Sequence, residues 1–92
     1  ARPSITMVGA RDAGAGRRIV FARVHDRKSP TLPFEWQRVV VEWPGASNAR
    51  AIPMRWYGEF LWRADWPADL PAGAAYRVCA TDAAGNSACG TP

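Results

Sequence analysis

Two cysteines stand ten residues apart in the stretch YRVCATDAAGNSAC, with Asp82-Ala83-Ala84-Gly85-Asn86 between them. Asp is favoured at the first position of a type I turn and Gly at the fourth. A type I turn followed by a left-handed glycine closes the three-residue hairpin loop that carries a bulge. This register pairs Asp82 with Asn86, Thr81 with Ser87, Ala80 with Ala88 and Cys79 with Cys89. The cysteines therefore face each other as a non-hydrogen-bonded pair, with Cα atoms about 4.5 Å apart, within reach of a disulfide. A Cys79–Cys89 bridge implies an oxidising compartment. It closes a short loop and adds about 2 kcal/mol at most. The rival reading is a metal pair, but two thiols at this spacing with His25 far upstream match no usual zinc pattern.

The rest of the chain is punctuated like this hairpin. Pro and Gly recur about every ten residues, and the segments between are short and rich in Val, Ile, Phe and Trp. That pattern predicts an all-β fold, a sandwich or barrel, within a single domain spanning residues 1–92. The expected strands are Ser4–Val8, Arg17–Asp26, Phe34–Trp43, Arg50–Trp56, Glu59–Trp66, and the closing pair AYRVCATD and NSACG. The Gly-rich GARDAGAG is expected to be a loop. Pro53 marks its strand as an edge or an irregular crossing. Alternation directs Val20, Ala22 and Val24 inward, since the opposite parity would bury Arg23 and His25. It likewise groups Val39, Val41 and Trp43; Phe60, Trp62 and Ala64; and Tyr76, Val78 and Ala80. The bridge then lies on the outer surface of its sheet.

Basic residues are almost all arginine, Lys28 being the only lysine, which first suggests a genomic composition bias. Seven basic residues lie between Arg2 and Lys28 against Asp12 and Asp26, within a net charge of +4. Such asymmetry can mark an anionic partner. A solvated strand face with loops explains it more simply, because only Phe21 is interleaved as a stacking residue. No nucleic-acid partner is expected. No apolar run approaches the ~18 residues of a membrane span, and no basic-then-apolar leader opens the chain. The expectation is a matured chain or a domain of a longer one.

Catalytic constellations are missing from the sequence. His25 is the only histidine, and Ser4, Ser29, Ser47 and Ser87 lie outside any Gly-x-Ser-x-Gly elbow. The carboxylates Glu35, Glu42, Glu59, Asp65 and Asp69 are scattered, and a glycosidase pair needs a cleft. GAGRR lacks the spacing and lysine of a phosphate loop. Asp82 and Asn86 could be pictured on calcium, but the turn already explains both. The expectation is therefore no catalytic residue, no metal and no cofactor.

Five tryptophans remain to be placed. Trp43 and Trp62 fit inward positions. Trp36 lies off the inward parity of its strand, while Trp56-Tyr57 and Trp66 sit at strand ends. Trp36, Trp56, Tyr57 and Trp66 are therefore the candidate ligand-binding residues, since an exposed aromatic platform can stack on sugar rings or fill a partner's pocket. The plainer explanation is that large aromatics seal the ends of a small sandwich.

The last third resembles a known pattern. Leu70-Pro71-Ala72-Gly73-Ala74-Ala75-Tyr76 is similar to the loop and penultimate strand of fibronectin type III domains, where a leucine six residues before a tyrosine packs in the tyrosine corner. Val24-His25-Asp26, the alternating Val39-Val40-Val41, Met54 ahead of EFLWRADWP, and Tyr76 to Asn86 extend the resemblance to bacterial immunoglobulin-like and fibronectin-like modules of secreted proteins. It covers roughly 17–89. The paired cysteines and the number of tryptophans depart from common fibronectin type III domains. The resemblance implies a seven-stranded antiparallel β-sandwich, immunoglobulin-like or fibronectin type III-like, and a non-catalytic accessory module, secreted, periplasmic or at the cell surface. Such a module binds, spaces or orients a polysaccharide, a protein or an adjacent domain, and is a monomer in isolation. Tyr76, Asp82 and Gly85 are expected to be structural, with the Tyr76 hydroxyl bonded to backbone near Leu70.

Overall fold

The computed structural model describes residues 4–25, 36–45, 50–58, 61–71 and 73–92. Eight strands and no helix occur among them: β1 (Ser4–Gly14), β2 (Arg17–His25), β3 (Trp36–Trp43), β4 (Arg50–Pro53), β5 (Arg55–Trp56), β6 (Leu61–Asp65), β7 (Arg77–Asp82) and β8 (Ser87–Gly90). They form two four-stranded antiparallel sheets, ordered β1-β2-β6-β5 and β4-β3-β7-β8. The expected strand extensions at Asp26, Phe34 and Glu35, and the inward Phe60, lie outside the described residues.

The two sheets share one core, giving a sandwich-like fold. Val20, Ala22, Val24 and Trp62 come from the first sheet, and Val39, Val41, Trp43, Val78 and Ala80 from the second. Each set follows the period of two expected of strands with one buried face. Met54 and Trp66 complete the cluster.

The count is eight rather than seven because RAIPMRW divides. Its first part pairs with β3, Val41 opposite Ile52, and its second with β6, Trp56 opposite Trp62. Met54 lies at the crossing. It is buried, and its N–H still donates to the Val39 carbonyl at 2.8 Å. Both halves are edge strands, as Pro53 requires, since proline cannot donate to a ladder on both sides.

A larger correction concerns GARDAGAG, most of which is strand. Gly9 faces Phe21, Ala10 faces Val20 and Arg11 faces Ile19. Gly9 serves the strand by what it lacks. A Cβ built there would fall 2.8 Å from Phe21 Cζ, so the ring lies across the bare glycine backbone. An aromatic laid over a strand glycine covers backbone that would otherwise stand open to water. Met7 and Val8 form a bulge between Thr6 and Gly9, which leaves Met7 exposed.

The closing hairpin has the register expected from its turn. Cys79 faces Cys89 and Thr81 faces Ser87. Cys79 and Cys89 are disulfide-bonded, with Cα atoms 4.0 Å apart. Gly85 has φ +90°, and its N–H donates to the Asp82 carbonyl at 3.0 Å. Asp82 is buried, and one of its carboxylate oxygens accepts from Ala84 N at 3.0 Å and Asn86 N at 2.9 Å. Burial would push this carboxyl up, but the bonds from Asn86 and Ala84 hold it below the usual carboxylate range. The turn thus gives both Asp82 carboxylate oxygens hydrogen-bond donors. Among the described residues no three His, Cys, Asp or Glu gather to hold a metal ion, and no helix is long and apolar enough to cross a membrane.

Candidate binding face

The four candidate aromatics do not share one location. Trp66 is a core residue, only 8% exposed. Its backbone N–H donates to the Arg18 carbonyl at 2.8 Å, so the β2–β6 ladder continues one residue past β6. Trp66 therefore keeps the inward parity of Trp62 and Ala64. Its ring meets Trp43 and Tyr76 edge-on, each at 5.2 Å between centroids. Edge-to-face packing of this kind adds about 0.5–1.5 kcal/mol beyond the area buried. Its indole N–H donates to the Leu70 carbonyl at 3.1 Å. The loop backbone near Leu70, expected to hold the Tyr76 hydroxyl, thus accepts a bond from Trp66. Tyr76 is half-buried against Trp43 and Trp66, and burial raises its phenol above the usual value against the pull of Arg18.

Trp56 and Tyr57 are the aromatics that remain outside, at 40% and 56% exposure. Trp56 ends the short strand β5, which forms the edge of its sheet, and Tyr57 follows it. Tyr57 N–H donates to the Leu61 carbonyl at 2.8 Å, which fixes the backbone on which its ring stands. The Arg63 guanidinium lies 4.4 Å from the Tyr57 ring centroid. A cation over an exposed ring contributes about 0.5–1 kcal/mol and sets the orientation of both groups. The Trp36 backbone pairs with Asp82 at the start of β3, in the other sheet; its side chain lies outside the described residues.

Beside Tyr57 the sheet face carries a shallow cleft of about 170 Å³, lined by Arg17, Ile19, Arg55, Tyr57, Arg63 and Asp65 among others. Ile19 is buried there, although its parity turns it away from the common core. Arginine stems can bury apolar surface while their heads stay in water, which suits an apolar floor under a charged rim. Arg17 reaches Asp65 at 2.8 Å across one side. A second depression, about 380 Å³, opens at the end of the core over Trp66, where the Arg18 guanidinium stands 5.5 Å from the ring centroid.

The sequence singled out aromatics and passed over Arg55 and Arg63. The available signal was parity: Arg63 sits between Trp62 and Ala64, so it must point outward if they point inward. No family model matches the chain, and no curated protein or solved structure does.

Proposed function

We propose that this chain is a non-catalytic accessory module with immunoglobulin-like or fibronectin type III-like topology, acting in a secreted, periplasmic or cell-surface protein. The observation that carries the topology is the strand order. Lettered A, B, C, C′, D, E, F and G in chain order, the sheets read A-B-E-D and C′-C-F-G. The first order is like that of the four-stranded sheet of immunoglobulin constant-type domains, and the second like that of their three-stranded sheet with one added edge strand, which supports this reading. Tyr76 beside the start of β7, packed on Trp43, supports the same reading. The disulfide is compatible with an extracellular location.

The module's role is to hold a partner through the β5 edge, where Trp56 is exposed, and the sheet face next to it, where Tyr57 stands with Arg63. Exposed aromatics on a strand edge suit a sugar ring, which favours a polysaccharide partner; a protein docked on the same edge is the other occupant. Retention of the 92-residue chain on immobilised polysaccharides, with Trp56→Ala and Tyr57→Ala alongside, tests the role. Loss of retention in the variants at unchanged Tm supports it. Retention indifferent to both substitutions moves the partner to another surface.

A further inference from the structure

The outer face of the β1-β2-β6-β5 sheet is assembled from three distant segments. Strand pairing lines up Arg11, Ile19 and Asp65 in one row, Gly9, Phe21, Arg63 and Arg55 in a second, and Thr6, Arg23 and Leu61 in a third. Arg17 shares the parity of Ile19. Five arginines, at positions 11, 17, 23, 55 and 63, thus share a face with one described aspartate, Asp65. Asp65 is taken by Arg17. Among the described residues, no carboxylate ion-pairs with Arg11, Arg55 or Arg63.

Two features of this face choose between ligands. Arg55 stands directly opposite Arg63 across the β5–β6 pair. Like charges in that position disfavour the fold, and an anion between them would remove the cost. The aromatic rings nearby are also each paired with a guanidinium. Arg63 lies over Tyr57, while Phe21 has Gly9 beneath it and the Arg11 guanidinium 5.8 Å from its centroid. Such a surface offers oriented guanidinium forks rather than open rings on which bases stack. The fork matches a planar carboxylate through two parallel hydrogen bonds. In this molecule Arg50 grips Asp69 through both nitrogens in that way.

We propose that this face binds a polysaccharide whose sugars carry carboxylate groups, with the cleft between Arg55, Arg63 and Tyr57 as the anchoring subsite. A polymer of uronic acids brings one planar anion per acidic sugar to a face that brings several forks. The cleft floor at Ile19 takes the apolar side of a ring. The proposal rests on the module reading above and adds the surface and the ligand class.

The test is binding of the 92-residue chain to polygalacturonate, measured by calorimetry and affinity electrophoresis. Its methyl-esterified form, which keeps the sugar chain and removes the charge, is the control. The native chain should bind the acid polymer, lose affinity as salt rises from about 0.05 to about 0.2 M, and ignore the esterified polymer. Arg55→Gln with Arg63→Gln should weaken binding about tenfold or more, and Arg11→Gln should weaken it less. Arg38→Gln, on the outer face of the other sheet, should change nothing. Equal binding of the esterified polymer would overturn the carboxylate claim while sparing the module reading. So would tighter binding of a sulfated glycan, single-stranded DNA or anionic lipid vesicles. No binding to the acid polymer by a folded native chain would end the proposal.

Discussion

The outward faces of the two sheets treat charge in opposite ways. On β4-β3-β7-β8, Glu42 is met by Arg77 Nε at 2.8 Å. Thr81 and Ser87 bond to each other at 2.9 Å. Val40, beside Cys79 and Pro53 in the register, is only 4% exposed. Glu42 with Arg77 and Thr81 with Ser87 are matched within that face, and a covalent staple ties two of its strands. On β1-β2-β6-β5, five arginines meet one described aspartate, and two of them oppose each other across adjacent strands. A face on which Arg55 opposes Arg63 carries a cost to the fold that an external anion would relieve.

That contrast can be broken by stability measurements before any ligand is tried. The largest expected effect lies beneath both faces. Trp66→Ala should cost roughly 3–5 kcal/mol by emptying the core, whereas Trp56→Ala, on the exposed edge, should stay within about 0.5 kcal/mol. Chemical denaturation of both variants reads this directly. Similar losses would mean that the β5 edge is as structural as the core.

Next come the features of the closing hairpin. Gly85→Val forces a β-branched side chain into a left-handed conformation and should cost about 1–2 kcal/mol, while Ala84→Ser should do little. Reduction of the Cys79–Cys89 bridge should lower stability by about 2 kcal/mol at most; no change would mean the staple does not support its face. The Asp82 carboxyl has a lowered folded value, so its stabilisation is fully present above the unfolded value of about 3.9 and is lost as pH falls below that through the folded value. The Tm of the native chain should therefore drop more steeply below pH ~4 than that of Asp82→Asn. Parallel acid profiles would remove the turn from the account.

The smallest effect is the most pointed. Arg55→Gln relieves the like-charge opposition to Arg63 and should raise stability by about 0.2–1 kcal/mol. Arg77→Gln, which breaks the pair with Glu42 on the other face, should leave stability unchanged or slightly lower it. The same sign for both variants would erase the distinction between the faces.

The two regions also differed in how much of them could be read from sequence. The β7–β8 hairpin was legible because its instructions are contiguous: turn, parity and cysteine register all lie within 79–89. Pro53 likewise announced an edge. Gly9 to Gly14 read as loop because glycine weakens a strand on its own. What places Gly9 in one is Phe21, which enters only through pairing. Trp66 was taken for a strand end although it keeps the parity of Trp62, because nothing local states that the ladder continues past Asp65. The arginine face was the least legible part. The basic N-terminal segment lacked aromatic company in linear sequence, and the fold brings Tyr57, Arg55 and Arg63 to it from about forty residues away through the β2–β6 and β5–β6 pairings.

Titration of the isotopically labelled chain with a short oligogalacturonate, followed by amide chemical shifts, tests the contrast between the faces most directly. Perturbations are expected at Arg11, Arg55, Tyr57 and Arg63 and along β2, with Cys79, Thr81, Ser87 and Cys89 unmoved. Shifts centred on β3, β7 and β8, or none anywhere at saturating ligand, would contradict it.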